Sequence, residues 1–151
     1  VREAGLTVFS NAHVSLVTTE RRGEPYPRGL TRVAELLEAG VPVACAQDDI
    51  DNPYYPFGRN DMLEVAHYMA HAGGFGWEPE RVLPMVTTTP ARALGLPHYG
   101  LGVGMEANLV VLDAPSWRDA LQFAAPKTAV VLRGRRAART VYEQRLELPG
   151  F

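Results

Sequence analysis

The chain's apolar and polar positions fall into short blocks that change period as they go. GLTVFSNAHVSLV (Gly5 to Val17) is a β-rich apolar run closed by the polar, Pro- and Gly-rich stretch TTERRGEPYPRG, which predicts a strand followed by a surface loop. From Leu30 to Gly40 the period lengthens: Leu30, Val33, Ala34, Leu36 and Leu37 recur at helical spacing, with Gly40 as the stop. VPVACA (Val41 to Ala46) is a continuous apolar run of the kind that forms a parallel strand covered on both faces. Strand, helix, strand in this order predicts a parallel pair joined by a right-handed crossover, and in such folds the functional loops follow the C-terminal ends of the strands.

DMLEVAHYMAHAGG (Asp61 to Gly74) predicts a helix with Asp61 near its N-terminus and a glycine pair as its stop, and Glu78 to Met85 predicts another with Pro79 early in it. TTTPARALGL predicts a short helix capped by Thr89, with Pro90 at the first helical position and Gly95 as the stop. After it the character changes. PSWRDALQFA is helix-like, but Ala107 to Asp113, Thr128 to Arg133 and Ala137 to Tyr142 predict strands of a second, smaller β unit. The expected boundary lies near Pro97 to Gly104, giving domains 1–97 and 98–151.

With 151 residues and 46% hydrophobic content, the chain can bury a core, which argues against disorder. Fifteen basic and seventeen acidic side chains leave a formal charge of −2 with no long same-sign block, so no nucleic-acid or membrane-surface partner is expected. Cys45 is the single cysteine, which rules out an intrachain disulfide and a Cys-rich metal knuckle. No apolar run reaches the ~20 residues of a spanning helix, and the default expectation is a cytoplasmic protein. The chain begins at Val1 with strand-like residues almost at once, which reads as the middle of a longer protein.

The most chemically loaded segment is QDDIDNPYYPFGRND, directly after Ala46. Asp48 and Asp49 stand where at least one carboxylate should project from the strand end into a site; a loop-solvating role is the alternative. His67 and His71 are four apart on a predicted helix, with Glu64 three before His67, so they are either a metal pair or packing and helix-end histidines. No zincin-type Glu adjoins the first of them. His13, beside Asn11 at a strand end, either contacts a ligand or closes a loop. Gly100, Gly102 and Gly104 lack the preceding strand and following helix of a phosphate loop and predict a turn.

Taken together, VPVACAQDDIDNPYYPFGRNDMLEVAHYMAH and VTTTPARALGLPHYGLGVGMEANLVVLDAP resemble the C-terminal part of the cytosine deaminase-like branch of the amidohydrolase superfamily, a branch that also holds N-isopropylammelide isopropylaminohydrolase. The resemblance runs from about Leu6 to Tyr142. It implies an α/β fold in which this chain supplies the last two β/α units of a metal-dependent (β/α)₈ barrel plus part of a small β-sandwich. It implies one divalent metal, zinc or iron, at the C-terminal face of the barrel. The implied reaction is hydrolysis of a C–N bond in a cyclic amidine such as cytosine or an aminotriazine. Metal lowers the pKa of bound water from 15.7 to about 7, the resulting hydroxide attacks the ring carbon, and a carboxylate passes the proton to the leaving nitrogen. By resemblance Asp48 is the last-strand carboxylate that binds the metal and takes the proton, and Asp49 and Tyr54 line the substrate pocket. The histidine pair recurs in relatives, which favours a structural role for it.

The chain departs from that family in lacking any His-x-His pair, the barrel's first strands and the proton-shuttling Glu. A complete barrel takes ~250 residues. The implied partners are therefore a small-molecule substrate and the rest of the barrel or an oligomeric partner, and the chain alone is expected to be inactive. The alternative is a stand-alone, non-catalytic binding protein. Tyr54 also stands where cytosine-specific members carry tryptophan. The zinc nucleobase deaminases of the unrelated fold need Pro-Cys-x-x-Cys, which one cysteine excludes. A Rossmann-type domain would need a glycine-rich turn that Thr18 to Gly29 does not provide.

Overall fold

The computed structural model describes residues 1–18, 29–53 and 55–147. Strand β1 (Val8–Ser10) leads through Asn11 into α1 (Ala12–Thr18), and α2 (Val33–Glu38) leads into β2 (Val43–Cys45). β1 and β2 pair in parallel, Val8 with Val43 and Ser10 with Cys45, as the strand–helix–strand order predicts. β2 is buried along its length, which its unbroken apolar run requires. α2 stops because Gly40 takes φ 72°, allowing Val41 N–H to reach back to the Leu36 carbonyl at 2.8 Å.

Helix α3 (Met62–Ala72) is the best-specified element. Asp61 caps it, its carboxylate accepting from Leu63 N–H at 2.9 Å and Glu64 N–H at 3.4 Å. At the other end Gly74, φ 75°, lets Phe75 N–H bond the Ala70 carbonyl at 2.8 Å. A 3₁₀ turn (Pro79–Arg81), α4 (Leu83–Val86) and α5 (Thr88–Ala93) follow. The last part is an antiparallel sheet of β3 (Leu109–Leu112), β4 (Lys127–Leu132) and β5 (Arg135–Arg139), with α6 (Trp117–Gln122) between β3 and β4.

Several expectations need correction. The run Gly5 to Val17 is not one strand: it ends at Ser10 and turns into α1, where Ala12, His13 and Val14 are buried and Leu16 and Val17 are exposed. Packing of α1 on α3 overrides the β-branched preference of the run. The helix expected over Glu78 to Met85 is split, since Pro84 has no N–H to donate to a ladder running on from Pro79. Thr89 is not the cap of α5. That helix starts at Thr88, two residues before the expected Pro90, Thr87 precedes it, and the Thr87 hydroxyl donates back to the Leu83 carbonyl at 2.6 Å, while Thr89 is buried. The third strand of the small sheet ends at Arg139, short of Tyr142.

A single apolar cluster joins these parts. Val43 and Cys45 of β2, Leu63, Val65, Ala66 and Met69 of α3, Met85 of α4 and Ala120 and Leu121 of α6 pack together. Polar bonds lock the α6 side of it: Trp117 Nε1–H donates to the Pro79 carbonyl at 2.8 Å, and Lys127 Nζ donates to Asp61 Oδ2 at 2.6 Å. Among the described residues, no helix is long and apolar enough to cross a membrane.

Candidate functional site

The segment after β2 leaves the sheet at its C-terminal end, beside the end of β1. Ala46 N–H still bonds the Ser10 carbonyl at 3.2 Å, after which the chain turns sharply. Asp48 takes the left-handed conformation, φ 65°, and its side chain is exposed to solvent. Its Oδ2 accepts from Asn11 Nδ2 at 3.0 Å, a bond from the end of one parallel strand to the end of the next. Asp49 is half-buried and faces the other way: its Oδ1 accepts from Asn52 Nδ2, and its carbonyl accepts from Gln47 Nε2 at 3.4 Å. Asn52 Oδ1 accepts in turn from Tyr55 N–H at 3.0 Å, so the turn is closed by its own side chains.

Beneath Asp48 lies a buried polar pair. Gln47 Nε2 donates to His13 Nε2 at 2.6 Å, which places the His13 proton on Nδ1. His13 stacks edge-on against Tyr55, ring centroids 5.1 Å apart, and lies 5.9 Å from Tyr68. Burial pushes its pKa below the usual histidine value of 6.5, only partly offset by Gln47 and by the charges of Glu64 and Asp48, so His13 stays neutral. His13 thus closes the loop. Three buried polar atoms at these strand ends nevertheless have no hydrogen-bond partner: Asn11 Oδ1, His13 Nδ1 and Gln47 Oε1. Such atoms are uncommon in native interiors and concentrate where function or a further partner explains them.

Gly58 closes the loop from the far side. A Cβ there would meet the Asp49 carbonyl at 2.5 Å and the Ile50 Cα at 2.9 Å. Only a glycine lets the returning chain pass so close. The sequence reading missed Asn11, Gln47 and Gly58; the turn signal in PFG was the one available cue to the last. Tyr54, expected in the pocket, lies outside the described residues.

The other candidates fall elsewhere. His67 Nδ1–H donates to the Leu121 carbonyl at 3.0 Å, and His71 Nδ1–H to the His67 carbonyl at 2.9 Å, so the first ties α3 to α6 and the second ties the helix to itself. The Gly100–Gly104 stretch is a turn. Cys45 is buried in β2, where loss of hydration pushes its thiol up to about 12 and keeps it inert.

The sequence profile of the amidohydrolase family matches residues 2–142. The chain belongs to that family. Among relatives, the pterin deaminase of Rhizobium rhizogenes is 30% identical over 148 residues, covering 96% of this chain and 34% of its own length. The N-isopropylammelide isopropyl amidohydrolase of Pseudomonas sp. is 36% identical over 108 residues, covering 68% of this chain and 26% of its own length. Among solved structures, the 5-methylcytosine deaminase of Klebsiella pneumoniae liganded with 5-fluorocytosine superposes with a TM-score of 0.86 at 32% identity, over 99% of this chain and 37% of that one. The N-isopropylammelide isopropylaminohydrolase of Burkholderia multivorans gives 0.71 at 26% identity, over 88% and 39%. This amidohydrolase chain therefore spans about a third of the length of the relatives it matches. These relatives are hydrolases of C–N bonds, and the superfamily generally uses a divalent metal.

A metal site needs several ligands, and among the described residues no group of three His, Cys, Asp or Glu side chains could hold an ion. What fits is one donor. Asp48 offers an exposed carboxylate with one oxygen already hydrogen-bonded by an amide, the outer support that ligating carboxylates carry.

Proposed function

We infer that this chain forms the last two β/α units of an amidohydrolase barrel and contributes Asp48 to a hydrolytic centre that acts on a C–N bond of a cyclic amidine, a pyrimidine, pterin or aminotriazine ring. The observation that carries this reading is the placement of Asp48: exposed, at the C-terminal end of a buried parallel strand, with Oδ2 held by Asn11. That end of the strands is where barrel enzymes build their sites.

When bound, the divalent metal supplies hydroxide at neutral pH by lowering the pKa of water to about 7. Asp48 Oδ1 is the oxygen left to ligate it, and Oδ2, which keeps a lone pair beside the Asn11 amide, would hold a proton in transit to the leaving nitrogen. Asp49, one residue on, keeps Oδ2 for an N–H of the ring; Tyr54 is assigned to substrate binding by the family resemblance alone. The remaining ligands belong to barrel strands outside these 151 residues. Zinc and iron both suit a mixed His/Asp set.

The test is turnover by the complete enzyme carrying Asp48→Asn, with cytosine, ammelide and a pterin as substrates. Loss of a proton-handling carboxylate costs about 10²–10⁴-fold. Near-native turnover by a folded Asp48→Asn protein would refute the role.

A further inference from the structure

Asn11 lies directly between β1 and α1, in the position from which an asparagine ordinarily caps a helix with its side-chain oxygen. Here that oxygen, Oδ1, is buried without a partner, and the amide nitrogen is spent on Asp48, 37 residues away, at 3.0 Å. A side chain selected for stability alone would cap the helix and leave no orphaned acceptor. Asp48 turns the chain here with φ 65°, the left-handed conformation that aspartate tolerates in turns. The residue before it is anchored to His13 at 2.6 Å, and the Asp49 carbonyl after it is tied to Gln47 at 3.4 Å. The Gln47 side chain thus bridges His13 and the Asp49 carbonyl across Asp48, whose carboxylate is held by Asn11.

We propose that Asn11 is a positioning residue, whose amide N–H holds the Asp48 carboxylate in one orientation at the strand end and leaves Oδ1 free as the ligating oxygen. This rests on the reading of Asp48 given above. Hydrogen-bonding supports of this kind change metal affinity or activity by about 10–100-fold when removed.

The experiment compares Asn11→Ala, Asn11→Ser, Asn11→Asp and Asp48→Asn in the complete enzyme, reading kcat, KM, the rate at which EDTA strips the metal, and the unfolding midpoint. Asn11→Ala should lower kcat about 10–100-fold with KM nearly unchanged and should speed metal loss by a similar factor. Asn11→Ser, which can still donate, should recover part of both. Asn11→Asp, of the same size but with no donor and an added like charge, should be worse than alanine. A space-filling role would instead be restored by Asn11→Asp and would show in the unfolding midpoint alone. If Asn11→Ala does not fold, the contrast between Asn11→Ser and Asn11→Asp decides. Native kcat and metal retention in the Asn11 variants, beside an inactive Asp48→Asn, overturn the proposal and leave the reading of Asp48 standing. Native turnover by Asp48→Asn overturns both.

Discussion

The seam between α3, α6 and β4 and the turn at the ends of β1 and β2 both draw polar groups inward, and they treat them differently. At the seam Asp61 caps α3 and pairs with Lys127, His67 meets the Leu121 carbonyl, and Trp117 meets the Pro79 carbonyl. At the strand ends Asn11, His13 and Gln47 each keep a buried atom unpaired. The seam uses its polar groups for stability. The strand ends leave theirs unpaired, which is the pattern expected at a functional site.

The sharpest way to break that contrast is Asp48→Gly. Glycine takes φ 65° without penalty, so the unfolding midpoint should hold or rise, while turnover of the complete enzyme should fall by about 10²-fold or more. A drop in both would mean that Asp48 also serves the scaffold. Next is Gly58→Ala, where the added methyl must displace the Asp49 backbone; overpacking of this kind costs about 1–3 kcal/mol, and here it should lower turnover as well. Asp61→Ala should do the reverse, costing about 1–2 kcal/mol in thermal unfolding through loss of the cap and of Lys127's partner, with kcat unchanged in the folded enzyme. Trp117→Phe, which removes one of the two hydrogen bonds to the Pro79 carbonyl and leaves that of Val82 N–H, should cost about 1 kcal/mol.

The two regions should also separate by pH. His13 has a lowered pKa, so the unfolded chain takes up a proton first; stability falls as the pH drops below 6.5 and levels off beneath the lowered value. Asp61 behaves differently. Burial alone would raise it, but Lys127 and the Leu63 and Glu64 amides outweigh that and hold it below 3.8. Its contribution is therefore full above 3.8 and lost only as the pH falls through the depressed value. Unfolding curves at pH 7 and 5 should differ for the native protein and differ less for His13→Leu; equal curves for the native protein would remove the strand-end half of this contrast.

Much of the scaffold was legible in the sequence because its signals are local. Asp61 and the glycine pair bound α3, Gly40 stops α2, and the unbroken run around Val43 marks a covered strand. The strand read over Gly5 to Val17 failed where a tertiary contact, α1 on α3, decided between two periods that an apolar run supports equally. The site was half legible. Resemblance drew attention to Asp48 and Asp49, but the Asn11–Asp48 and His13–Gln47 bonds join residues 37 and 34 apart in sequence, and no spacing announces them.

The most direct measurement is a metal-loaded crystal structure of the complete enzyme. A carboxylate oxygen of Asp48 should lie about 2.0–2.2 Å from the ion, with Asn11 still donating to the other oxygen. An ion held wholly by other residues, with Asp48 turned to solvent, would contradict the central claim.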